Sequence, residues 1–138
     1  MAGKLQFDLV APEALIVSEA VDMVVVPGGD GDFGVLPRHA PLVSTVRPGV
    51  IVTYEGEGSA RQPKERIFVA GGFAEVTPDR LTVLAEQAMK VGEIDRAKTE
   101  LELKDAAEDL ADAKDAHAKG IAERAVNVAK AKLAAIKA

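Results

Sequence analysis

The chain has 138 residues, 48% of them hydrophobic, and a formal net charge of -5. That length allows one modest core with an appendage, and that hydrophobic content excludes a disordered tail. The lack of cysteine excludes a disulfide framework, a thiolate nucleophile and a Cys-ligated metal, while the negative balance argues against nucleic acid as the main partner.

All seven prolines, and ten of the twelve glycines, precede residue 79. Beyond residue 90 the sequence is almost pure Ala, Leu, Lys, Glu and Asp. The two compositions predict a β-domain over residues 1–88 and a helical domain over 89–138.

Residues 4–10 alternate Leu5, Phe7 and Leu9 against Lys4, Gln6 and Asp8, the period of a half-buried strand. Residues 15–17 and 23–26 follow as strand-forming runs, and 42–46, 50–54, 66–70, 73–76 and 81–84 are further ones. Pro27-Gly28-Gly29-Asp30-Gly31-Asp32 is expected to be a loop that holds no strand. Turn signals stand at Arg47-Pro48-Gly49, Glu55-Gly56-Glu57-Gly58 and Thr77-Pro78-Asp79-Arg80. Short strands at this spacing, with no helix between them, predict an antiparallel sandwich or flattened barrel.

In the second part Arg96, Glu100, Lys104 and Glu108 form an i,i+4 ladder of alternating sign, and Lys98 with Glu102 and Asp115 with Lys119 repeat the spacing. The apolar face is read as Ile94, Ala97, Leu101, Ala107 and Leu110, then Ala122, Val126, Ala129, Leu133 and Ile136. An antiparallel helix hairpin follows, turning between residues 109 and 120. Residues 93–115 hold nine acids against four bases, whereas residues 116–138 hold five bases and one acid. Two readings stay open: a hairpin closed by opposite charge that releases a basic second helix, or a solvated helix pair that never moves.

The Gly-rich loop is not a phosphate cradle, because no Lys-Ser/Thr follows and Asp30 and Asp32 repel an anion. It also lacks the downstream acid of a Ca²⁺ loop. His39 and His117 are the only histidines, and neither has a triad or metal pattern around it. His39 is framed by Pro37 and Pro41, and a buried hydrogen-bonding role is expected for it. No catalytic residue, metal site or cofactor is expected. No apolar run is long enough to span a bilayer and the N-terminus is not a signal peptide, so the expected protein is soluble and intracellular, or membrane-held through partners.

Three segments together resemble the epsilon subunit of the bacterial F-type ATP synthase, the delta subunit of mitochondria. They are Gly31-Asp32-Phe33-Gly34-Val35-Leu36-Pro37-Arg38-His39-Ala40-Pro41-Leu42 with Arg47-Pro48-Gly49; Gly71-Gly72-Phe73-Ala74-Glu75-Val76 leading into Leu81-Thr82-Val83-Leu84; and Glu93-Ile94-Asp95-Arg96-Ala97. The resemblance implies a β-sandwich of about ten strands followed by a two-helix C-terminal hairpin. It implies a non-catalytic central-stalk subunit bound to gamma and to the ring of c subunits, coupling proton-driven rotation to ATP synthesis. Membrane association comes only through the complex, on the cytoplasmic face of the bacterial inner membrane. Asp32, Arg38 and His39 become the expected ring contacts. Lys119, Arg124, Lys130 and Lys132 become the expected basic face that meets the alpha and beta subunits and hinders hydrolysis; a passive hairpin is the alternative. Some members bind ATP through an Ile/Leu-Asp-x-x-Arg-Ala motif. Here Ile94 and Asp95 are present, but Lys98 stands in place of arginine and lacks its planar fork, so nucleotide binding is expected to be weak or absent. A free-standing sandwich-plus-helix adaptor is the alternative to the stalk subunit.

Overall fold

In this computed structural model, which describes residues 3–137, the alternation at the N-terminus is strand β1 (Leu5–Ala11), with Leu5, Phe7 and Leu9 fully buried. Nine more strands follow: β2 (Ala14–Val21), β3 (Met23–Gly28), β4 (Gly31–Val35), β5 (Leu42–Val46), β6 (Gly49–Glu55), β7 (Gln62–Val69), β8 (Gly72–Thr77), β9 (Arg80–Ala85) and β10 (Ala88–Lys90). They hydrogen-bond in the order β10-β7-β6-β3-β5-β8-β9-β1-β2, with β4 on β3. The path folds over one core to which β1 to β9 all contribute, including Phe7, Val24, Ile51, Ile67 and Leu81. A ten-strand sandwich followed by two helices is thus the architecture.

Three features differ from the sequence reading. First, β1 pairs with β9 in parallel, so the sandwich is not wholly antiparallel. The long intervening chain lets these two strands meet in that direction without a crossover helix. Second, residues 27–32 are not a strandless loop: Pro27 pairs with Asp32 and Gly28 with Gly31, leaving Gly29-Asp30 as a two-residue turn. Third, the first compact unit is Met1–Lys90, because Ala88–Lys90 pair with Val69, Phe68 and Ile67 on β7.

Two carboxylates brace the sandwich. Asp8 accepts hydrogen bonds from Gln6 Nε2 at 3.0 Å and Ser18 Oγ at 2.8 Å, and lies 3.1 Å from Arg80. Asp22 accepts from the Gly56 N–H at 2.7 Å and from Lys4 at 3.0 Å. The Gln6 and Ser18 bonds hold the Asp8 pKa below 3.8, and the Gly56 and Lys4 bonds do so for Asp22. A depressed folded-state pKa gives stability that is present above the unfolded value and lost as pH falls through the folded one. The Asp8→Asn, Asp22→Asn double variant is therefore expected to lose less thermal stability than the native chain between about pH 5 and pH 2. Parallel melting curves in calorimetry over that range would contradict it.

The second unit, Val91–Ala138, holds α1 (Arg96–Asp112) and α2 (Ala116–Lys137). Asp95 caps α1, its carboxylate accepting from the Lys98 N–H at 3.0 Å, and Asp115 caps α2 through the Ala118 N–H at 2.7 Å. The connection, residues 113–115, lies inside the expected window. The inward face of α1 was expected at Ala97, Leu101 and Ala107, yet all three are exposed; Thr99 and Ala106 are buried, with Leu103 and Leu110 half-buried. The reason is continuity. A stripe through Ala97 and Leu101 runs into Lys104, Asp105 and Glu108, whereas Thr99, Leu103, Ala106 and Leu110 continue at heptad spacing without a charge.

Candidate docking surfaces

The β3–β4 hairpin tip is held against the corner between β5 and β6. The Gly29 N–H donates to Thr45 O at 2.9 Å, and a Cβ on Gly29 would stand 2.3 Å from Thr45 Oγ1, so a larger residue cannot sit there unmoved. The Arg47 N–H donates to Pro27 O at 2.9 Å, its Nη1 donates to Gly28 O at 2.6 Å, and its Nη2 pairs with the Asp32 carboxylate. Asp32 therefore reaches the surface with its charge matched.

Arg38 and His39 lie elsewhere. Both follow β4 in the loop to β5, where the Arg38 N–H bonds to Pro78 O and the His39 N–H to Leu36 O at 3.2 Å. Arg38 adopts φ +69, a left-handed conformation that leaves its side chain exposed. His39 Nδ1 sits 2.6 Å from Ala40 O, so this nitrogen carries the proton and donates; the residue is half-exposed, not buried. Leu42 pairs with Val76, near Pro78, and Val46 with Gly72, so the two groups lie at opposite ends of β5. That strand is about 13 Å long. The three expected ring contacts are two separate sites.

A surface the sequence reading missed crosses four strands. Leu15 pairs with Val10, Val10 with Leu84, and Leu84 with Phe73, so these residues form one straight row on the outer face. Leu15, Leu84 and Phe73 are 60%, 55% and 58% exposed. On β5 the row meets Thr45, opposite Phe73, with the exposed Val43 two residues along the strand opposite Glu75; a cleft of about 330 Å³ runs beside the row, lined by Pro12, Phe73, Leu84 and Glu86. Contiguous exposed apolar side chains rimmed by charge mark a protein–protein surface. Each strand run was legible in the sequence, but which residues line up across strands is set by register.

On α2, Lys119, Arg124 and Lys130 are exposed, whereas Lys132 is only 5% exposed and donates to Glu102 Oε2 on α1 at 3.3 Å. Lys132 is an internal tie of the hairpin, not part of an outer basic face, and Glu102 pairs across helices with Lys132. The cause is position: Lys132 falls on the stripe of Ala122, Val126, Ala129 and Ala135, whose small side chains leave its stem room to bury. Ile94 is half-buried, the Asp95 carboxylate is engaged as the α1 cap, and the Lys98 side chain is exposed. Replacing both partners of a buried ion pair by apolar side chains is often neutral or stabilising, so Lys132→Met combined with Glu102→Leu is expected to slow amide exchange in α2 by up to about tenfold. Faster exchange in that variant would show that the pair itself holds the helices together. No helix among the described residues is long and apolar enough to cross a membrane.

Residues 4–91 match the family described as "ATP synthase, Delta/Epsilon chain, beta-sandwich domain". Over 137 residues, 99% of each chain, the sequence is 53% identical to an ATP synthase epsilon chain of Rhodospirillum rubrum. This chain belongs to the ATP synthase epsilon chain family. An ATP synthase epsilon chain of Paramagnetospirillum magneticum is 52% identical over 136 residues, again 99% of each. Among solved structures, a chain of the Euglena gracilis mitochondrial ATP synthase OSCP/F1/c-ring assembly superposes with TM-score 0.79 at 23% identity, covering 99% of this chain and 83% of that one. That likeness concerns the fold. The domain match ends at residue 91, so the hairpin's place in the epsilon family rests on the full-length relatives.

Proposed function

We propose that this chain is a non-catalytic rotor subunit of an F-type ATP synthase, at the cytoplasmic face of a bacterial inner membrane. The observation that carries the reading is identity of 53% to an epsilon chain along 99% of both sequences. The Euglena gracilis neighbour comes from an assembly of OSCP, F1 and c-ring, which fits a chain seated between gamma and the ring. The apolar row of Leu15, Leu84 and Phe73 supplies the broad, desolvating contact that a permanent partner such as gamma needs. The β3–β4 tip supplies a small polar contact suited to the ring, which must accept torque through it. Of the residues first assigned to the ring, Asp32 belongs to that tip, and Arg38 with His39 belongs to the opposite end.

The hairpin is the brake in this reading. Lys119, Arg124 and Lys130 present positive charge to an acidic surface of the alpha and beta subunits, while Lys132 stays within the helix pair. The sandwich carries its own core and forms a unit by itself, so it can be separated from the helices. ATP synthase stripped of this subunit is reconstituted with the full-length chain or with a version ending at Lys90. Full-length protein is expected to lower ATP hydrolysis several-fold, and the shorter one to bind without lowering it. Equal rates with both bound forms would make the hairpin passive. Failure of both to bind would return the chain to a free-standing adaptor.

A further inference from the structure

Composition makes residues 28–34 read as pliant, with four glycines in seven positions. The structure ties them down. Arg47 reaches Gly28 O on β3 with one arm of its guanidinium and the Asp32 carboxylate on β4 with the other, so one planar fork spans both strands of the hairpin. Its own N–H bonds to Pro27 O, and Thr45 O receives the Gly29 N–H, closing the corner from the backbone side. Lysine has no second arm with which to copy this. The same geometry sorts the two acids. Asp32 is matched by Arg47, while Asp30, on the two-residue turn, is exposed and has no ion-pair partner among the described residues.

Resting on the ring-contact reading above, we infer that Arg47 is a positioning residue that stiffens the β3–β4 tip and takes up Asp32. Asp30 is then the acid that selects a cationic side chain on the surface the tip meets. A tip ordered before contact loses little entropy on docking, and it transmits torque without bending. An unmatched carboxylate at its point gives that small contact its orientation, in a salt-dependent way.

The chain has no native cysteine, so Asp30→Cys carries a photo-crosslinker at one position. An adduct with the ring subunit in assembled ATP synthase tests the ring contact by itself. Full-length Asp30→Asn, Asp32→Asn, Arg47→Gln and Arg47→Lys are then titrated, at low and high salt, onto complex stripped of this subunit. Asp30→Asn is expected to weaken binding about threefold at low salt and hardly at high salt, with Asp32→Asn weaker in effect. In the free chain, Arg47→Gln is expected to speed amide exchange at residues 29–32 about tenfold with the core unchanged, and Arg47→Lys to restore less than half of that. An adduct combined with an inert Asp30→Asn, or with salt dependence carried by Asp32, overturns the inference and leaves the ring contact standing. Unchanged exchange at the tip in both Arg47 variants removes the clamp. No adduct overturns both the inference and the reading it rests on.

Discussion

Phe73→Asp combined with Leu84→Asp is expected to lower affinity for the gamma subunit by at least about a hundredfold while the sandwich stays folded. The two side chains face each other across β8 and β9, both more than half exposed, so neither is needed to fill the core. They belong to the apolar row that runs from Leu15 through Val10, and in the proposed complex a partner covering that row excludes water from them. An anchor in such a place is worth about 2 kcal/mol or more, and a buried unpaired carboxylate adds a desolvation cost to the lost contact. Gel filtration of the double variant with gamma, beside its melting curve, checks both halves. Intact binding would move the gamma interface off this face, and a collapsed melting curve would mean the row is structural.

Gly72→Ala is expected to destabilise the sandwich by about 3 kcal/mol, enough to lower its melting temperature by roughly 15 °C. Gly72 opens β8 at φ +141, a conformation that an L-residue resists. The added Cβ would also lie 2.0 Å from the Leu84 carbonyl oxygen, which is backbone and cannot swing aside. Relief requires parting Gly72 from Ala85 and Phe73 from Leu84 at the start of the β8–β9 ladder, the place from which the apolar row projects. Gly58→Ala is the control. It too has positive φ, at +57, but its Cβ would meet nothing within 4 Å, and about 1 kcal/mol is expected. Equal melting temperatures for the two variants would show that backbone conformation alone, and not the clash with β9, sets the cost at Gly72.

Much of the sandwich was legible because its signals are local. Leu5, Phe7 and Leu9 alternate with polar neighbours, and all three are buried. The tip at residues 27–32 was misread because Gly and Pro weigh against a strand in isolation. Here the cost is offset by pairing with β4 and by the ties to Arg47 and Thr45, fifteen or more residues away in sequence.

The candidate sites were less legible, for the same reason. Asp32, Arg38 and His39 are close in sequence, but a strand between them carries them apart. Lys132 looked like one more base on a polar helix until the heptad stripe of α2 turned it inward to Glu102. By itself the sequence determined eight of the ten strands, the helix pair, the order of sandwich and hairpin, and the family, since periodicity, turn chemistry and motif identity are properties of neighbouring residues. Tertiary structure alone decided the parallel β1–β9 pair, the row of Leu15, Val10, Leu84 and Phe73, and which of Asp30 and Asp32 keeps an unmatched charge. Those depend on strand register and on contacts between distant residues, where a shift of one position turns every side chain to the other face.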